Sequence, residues 1–167
     1  MLSTMTIRPA VSADLSAISD LILQLGYPVD DAALAAMLGS LLDDRRHAVV
    51  VAEEADHGIV AMLALSARPV LRLQGWVGSV EELVVRQGLR DRGVGDRLIQ
   101  YAKGLAAERG WARLEIAVAR KRESNRRGFL FSRGFVAAES VTYRWGMLEK
   151  RHQAPPVLQA EGRPELV

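Results

Sequence analysis

One stretch, residues 79–100, restricts the chain more than any other. It reads SVEELVVRQGLRDRGVGDRLIQ. An apolar run ends in an Arg- and Gly-rich turn, and an amphipathic segment follows at once. Val80, Leu83, Val84 and Val85 do not alternate strictly, which predicts a strand over 80–86 covered on both faces. Arg90, Asp91, Arg92, Gly93, Val94 and Gly95 form the turn. A glycine turn that opens a helix presents backbone N–H groups with no partner inside the helix. Those groups and the helix dipole favour an anion, usually a phosphate. Gly93 and Gly95 let a ligand approach the backbone, Arg90 and Arg92 add positive charge, and Arg97 lies one turn into the helix. No Lys-Ser/Thr pair follows, which argues against a Mg-nucleotide P-loop. Position 98 is Leu, where a dinucleotide fingerprint has its third glycine. Two acids upstream, Glu81 and Glu82, are candidate bases. On a regular strand they point to opposite faces, so only one serves a given slot unless a bulge intervenes.

The segments around this stretch fit one layered architecture. Residues 5–8 predict a first strand stopped by Pro9. Ser12 is a candidate N-cap, with Asp14 in the first turn and Leu15, Ile18, Ile22 and Leu25 on one helical face ending at Gly26. A second helix starts at Asp30 or Asp31 and buries Leu34, Met37, Leu38, Leu41 and Leu42. AVVVAE (48–53) and IVAMLALS (59–66) flank a short polar turn, which predicts an antiparallel hairpin. Residues 69–78 read as a connection. Val94, Leu98, Tyr101, Ala102 and Leu105 line the helix that follows the glycine turn, and Gly110 ends it. Residues 113–119 alternate as a strand. A short helix over 124–133, stopped by Gly134, and strands over 135–138 and 141–148 complete the order β-α-α-β-β-β-α-β-α-β-β. This is an α/β chain with a mixed sheet and helices on its faces, in which residues 80–119 form a parallel strand–helix–strand unit. Pro155, Pro156, Gly162 and Pro164 mark a flexible tail over 151–167 behind a single domain of residues 1–150.

Composition narrows the chemistry. There is no cysteine among the 167 residues, which removes disulfides, thiolate metal sites and a Cys nucleophile. His47, His57 and His152 have no metal-ligand spacing, so no metal is expected. No apolar run reaches the roughly 20 residues of a membrane span, and the first residues lack the pattern of a signal peptide. A cytoplasmic protein with no membrane partner is the expectation. The net charge of +2 is too small to point to a polyanion, but Arg120, Lys121, Arg122, Arg126, Arg127 and Arg133 form a local basic run. Phe129 and Phe131 beside it read as core residues, and Trp76, Trp111 and Trp145 are too widely spaced for a base-stacking platform. A nucleic-acid partner is therefore not favoured.

Arg90-x-x-Gly93-x-Gly95 after an apolar strand resembles the acyl-CoA signature of the GCN5-related N-acetyltransferase (GNAT) superfamily. Gly134-Phe135 is similar to the pair that closes that family's second motif. The element order fits the family's fold from residue 5 to about residue 148. The resemblance implies acetyl-CoA as cosubstrate and direct transfer of acetyl to a primary amine of a small-molecule or peptide acceptor. It implies that the backbones of Leu83, Val84 and Val85 bind the pantetheine arm in a gap between the fourth and fifth strands. It further implies that the backbone from Arg90 through Asp91, Arg92, Gly93 and Val94 to Gly95 holds the pyrophosphate. The last strands support dimers in such proteins, which leaves a homodimer open.

Attack by an alkyl amine needs its neutral form, hence a base. The resemblance favours Glu81, with Glu82 binding a cationic acceptor or serving a structural pair. It also implies a Tyr after Phe129 as proton donor, but Leu130 stands there. Tyr27 and Tyr143 are substitutes by position, and a thiol pKa near 8.5 also lets the thiolate leave as the anion. Asn125 reads as a helix-start residue. The missing Tyr keeps open a second reading, a non-catalytic CoA-sensing or nucleic-acid-binding module on the same fold.

Overall fold

The computed structural model describes residues 5–118, 128–139 and 142. Contacts divide the chain into two units, Met1–Arg122 and Glu123–Val167. The first holds a five-stranded mixed sheet in the order β1-β2-β3-β4-β5. Its strands are β1 (Met5–Pro9), β2 (His47–Glu54), β3 (Gly58–Val70), β4 (Gly75–Val85) and β5 (Arg113–Ile116). The first four pair antiparallel and β5 joins β4 in parallel, through the crossover helix α3 (Val94–Glu108). Helices α1 (Leu15–Leu23) and α2 (Asp31–Leu42) precede β2. Among the described residues no helix is long and apolar enough to cross a membrane.

Side-chain alternation on the central strands gives the sheet two apolar faces. Val50, Leu63, Leu65 and Val80 meet Val94, Leu98 and Ala102 of α3. Val49, Val51, Met62 and Val84 meet Ile18 and Leu21 of α1 and Leu38 of α2. The middle of β3 is therefore covered on both faces, as its unbroken apolar run from Ile59 to Leu65 requires, and the apolar residues of β4 divide between the same two faces.

Several local expectations need correction. Ser12 does not cap α1; residues Ser12–Asp14 form a 3₁₀ turn, and the Asp14 carboxylate accepts the Val11 N–H at 2.9 Å. The second helix begins as expected, with the Asp30 side chain accepting from Ala33 N–H at 3.0 Å. Met37, expected inside, is 58% exposed because it lies on the flank of the stripe, roughly 60° around the helix from Leu34. Residues 69–78 are mostly strand, joined only by the 3₁₀ turn Leu71–Leu73 and Gln74, whose φ is 48°. Pro69 is tolerated because β2 stops pairing with β3 at Ser66, so β3 has a free edge there. β5 is shorter than the alternation suggests and ends at Ile116.

In the second unit, residues 128–130 form a turn and Phe131–Arg133 a 3₁₀ turn that stops at Gly134. Gly128 has φ of 65°, a conformation an α-helix cannot contain, so the described part of the expected 124–133 helix is not α-helical. Residues 135–138 form no strand. Apart from Thr142, the strand expected over 141–148 lies outside the described residues, as do the tail, Asn125, Tyr143, Trp145 and the basic residues 120–122 and 126–127.

Two features of the first unit generate stability predictions. A Cβ placed on Gly78 would lie 2.0 Å from Trp111 Cε3, so the indole at the end of α3 packs directly on the β4 backbone. Gly78→Ala is expected to cost about 1–3 kcal/mol by overpacking, measured by urea unfolding. The cost should shrink in a Trp111→Ala background, and an equal cost there would show that the indole is not the cause. The second feature is Arg8, whose guanidinium donates to both Asp14 oxygens, at 2.8 and 3.0 Å, and to Glu53 at 2.8 Å. These bonds, with Val11 N–H, hold the largely buried Asp14 carboxyl below its usual range against the opposing effect of burial. A depressed folded-state pKa stabilises above the unfolded value of about 3.9, and that stability is lost as pH falls through the folded value. Asp14→Asn should thus destabilise the protein by about 2 kcal/mol at neutral pH and flatten the fall in stability below about pH 4. An unchanged acid limb in the unfolding curves would remove Asp14 from that role.

Candidate functional site

The site grows from a change in how β4 is paired. On one edge β4 follows β3 from Gly75 to Val85. On the other it pairs with β5 only from Val77 to Val80, and β5 ends opposite Val80 at Ile116. Beyond that point β4 has one open edge among the described residues. Arg86 N–H donates to Val60 O across β3 at 2.8 Å, which fixes the alternation. It turns the backbone groups of Val84 toward β3 and those of Leu83 and Val85 toward the open side. The Val84 side chain is buried in the core. Of the three residues expected to offer backbone to a ligand, Leu83 and Val85 turn theirs to the open side and Val84 turns its groups to β3.

The same strand carries a bulge. Val80 stands opposite Leu65 and Glu82 opposite Ala64, so Glu81 is the extra residue. The bulge overturns the opposite-face arrangement of a regular strand. Glu82 shares the face of Ala64, and Glu81 reaches the same face to accept the Ser66 hydroxyl at 2.5 Å. Glu81 is exposed, whereas Glu82 is half-buried. Burial, and then the charge of Glu81, push the Glu82 carboxyl above its ordinary range. Ser66 was not legible as a site residue, because only the register of the β3–β4 hairpin places it beside Glu81.

The turn after β4 is tethered on several sides. Arg86 donates to the carbonyls of His57 at 3.2 Å and Ile59 at 2.5 Å, and Gln87 N–H donates to Gln24 Oε1 at 2.7 Å. Asp91 and Gly93 have φ of 61° and 81°, and Gly93 is the residue before the first turn of α3. Left-handed residues in a turn can curl successive N–H groups into a concavity that suits an anion, and this turn leads straight into the helix start. A Cβ on Gly93 would meet nothing within 4 Å, so the space before the helix is open. Arg92 is exposed at its rim. Arg90 folds back, and its Nε donates to Val85 O at 3.3 Å. Arg97 points elsewhere: its guanidinium donates to Met5 O at 2.9 Å and ties α3 to β1. The structure thus brings together the β4 edge, the two acids and the turn from Arg90 to Gly95, but not Arg97.

Tyr27 is 62% exposed in the segment between α1 and α2. Leu130 precedes the 3₁₀ turn of the second unit, and the Arg133 guanidinium there stacks on Phe129 at 3.8 Å.

Comparison with known proteins agrees with this geometry. No curated protein matches the chain. Among solved structures it is similar to a transcriptional regulator from Bacillus halodurans (TM-score 0.76, 22% identity, covering 85% of this chain and 100% of that one). It is also similar to a ribosomal-protein-alanine N-acetyltransferase from Brucella melitensis (TM-score 0.66, 23% identity, covering 86% and 100%). A third similar structure is an aminoglycoside 6'-N-acetyltransferase from Acinetobacter baumannii (TM-score 0.71, 21% identity, covering 87% and 100%). At these identities the likeness is one of fold. The family model described as "Acetyltransferase (GNAT) family" matches residues 15–135, most of the chain, and with the open β4 edge and the glycine turn already in place the chain belongs to that family.

Proposed function

We propose that this chain is an N-acetyltransferase that moves acetyl from acetyl-CoA directly to a primary amine, with Glu82 as the base. The observation that carries this reading is the continuity of the open β4 edge with the N–H concavity of the turn. An extended arm bearing amide groups fits the first, and a pyrophosphate fits the second. Leu83 and Val85 would hold the arm as an added strand, and the backbone from Arg90 to Gly95 would hold the pyrophosphate. Arg90, swung off the Val85 carbonyl, would free that acceptor and add its charge to the cradle. Acetyl-CoA supplies the activated thioester.

The acids divide the remaining work. Glu82 is half-buried with a raised pKa, which brings its proton affinity closer to that of the water or ammonium it must deprotonate. Glu81 is exposed and already accepts a hydroxyl, so it suits attraction of a cationic acceptor. This assignment reverses the family-based preference for Glu81. Leu130 offers no proton to the departing thiolate, which is tolerable for a leaving group of pKa near 8.5. The acceptors named for the structural neighbours, a ribosomal-protein alanine and an aminoglycoside, differ in chemistry, so the fold leaves the acceptor to the surface around the acids.

Two experiments test the reading. Gly93→Asp combines a strained φ with a carboxylate at the helix start and should weaken acetyl-CoA binding at least ~10-fold by calorimetry. Gly93→Ala carries the strain without the charge and should lose less. Equal losses would show that the concavity does not read an anion. For the base, Glu82→Gln should lower kcat about 100-fold and remove the acid limb of the pH–rate profile. That limb should lie above the ordinary Glu range in the parent protein, with activity rising as pH increases through it. If Glu81→Gln abolishes the limb and Glu82→Gln leaves it intact, the base is Glu81.

A further inference from the structure

The face that carries Glu81 and Glu82 continues past them into a cluster of opposite sign. Alternation from Ala64 puts Ser66 and Arg68 of β3 on this face, with Ser79 and Val77 of β4 opposite them. β5 extends the same rows, because Glu115 stands beside Ser79 and Arg113 beside Val77. Arg68 Nη2 donates to Glu115 Oε2 at 3.0 Å, and Arg113 Nη2 lies 2.6 Å from Glu115 Oε1. Two guanidiniums therefore share one carboxylate. The trio keeps one net positive charge, and each guanidinium uses one nitrogen of its fork on Glu115. Exposed ion pairs of this kind contribute little to stability. What the shared carboxylate does is hold two donor forks side by side, an arrangement suited to a carboxylate or phosphate.

We infer that Arg68 and Arg113 form an anion subsite of the acceptor pocket, so that the acceptor is a small amine carrying a carboxylate or phosphate at its far end. This rests on the acetyl-transfer reading for the position of the amine. Arg68 lies four steps along β3 from Ala64, the partner of Glu82, about 13 Å at ~3.3 Å per residue. An arginine leaning toward the acids shortens the span between amine and anion to the order of 10 Å. Polarity fixes the direction of binding. The two acids repel the anion and attract the ammonium, and the arginine pair does the reverse.

The test uses four probes of one chain length: octylamine, diaminooctane, aminooctanoate and aminooctyl phosphate. Thiol release with acetyl-CoA gives kcat/KM for each, and calorimetry with CoA in its place gives Kd. Either anionic amine should exceed octylamine by about tenfold or more in both readouts, as expected for charge-assisted hydrogen bonds. Whichever of the two leads identifies the anion as carboxylate or phosphate. Arg68→Gln with Arg113→Gln should collapse that ratio toward one, and Arg68→Lys with Arg113→Lys should restore part of it. Octylamine or diaminooctane performing as well as the anionic amines would overturn the subsite, and so would a ratio that survives the double Gln substitution. If acetyl-CoA neither binds nor releases thiol with any probe, the acetyl-transfer reading fails, and the Kd ratios still decide for or against the subsite.

Discussion

Strand β4 is held on both edges as far as Val80 and on one edge beyond it, and the rest of the structure follows from that change. The two-edged half anchors the strand in a sheet covered by helices on both faces. Among the described residues, the one-edged half leaves backbone donors and acceptors at Leu83 and Val85 without a strand partner on that side. Unpaired edge groups are ordinarily a liability. Here the open edge runs into a turn that leads straight into α3, and the first N–H groups of a helix have no partner inside it. The two features adjoin, and the proposed ligand, an extended molecule with amides at one end and phosphates at the other, would suit both.

The bulge at Glu81 is the second consequence of the same strand. A regular β4 would give one acid to each face. One inserted residue gives both acids to one face, side by side, and their proximity joins burial in raising the pKa of Glu82. Ser66 holds the more exposed acid in place. The acids therefore have unlike environments despite being neighbours in sequence, and unlike environments separate the roles of paired carboxylates.

Much of this was legible in the sequence, and the exceptions have a common cause. The apolar runs of β2, β3 and β4, the αL glycine before α3 and the periodicity of α3 are local patterns, and local patterns survive into the structure. What the sequence hid depends on register. The bulge cannot be seen in VEELVV, because it is defined by what stands opposite. Ser66 and Gly78 acquire meaning only through Glu81 and Trp111 across the fold. Residues 69–78 looked like a connection because Pro69 and two glycines weaken strand propensity, but pairing from Ala67↔Gly78 to Val70↔Gly75 overrides it. Arg97 looked like part of the anion site because it is near the glycines in sequence. Its position in the first turn of α3 instead carries it around to the β1 carbonyl of Met5.

That extension of the β3–β4 hairpin also explains how one face can treat its two ends differently. Near Ala64 the face is covered by α1 and α2, and an acid there is partly desolvated. Four residues further along, Arg68, Arg113 and Glu115 are partly open to solvent. Charge at the covered end acts through altered proton affinity, because desolvation penalises the ionised form. Charge at the open end is screened, so it contributes through fixed donor geometry rather than through field strength. A face graded in this way would suit the proposed acid–base chemistry at one end and acceptor recognition at the other. The sequence sets the gradient by running β3 and β4 several residues past the helices that bury them.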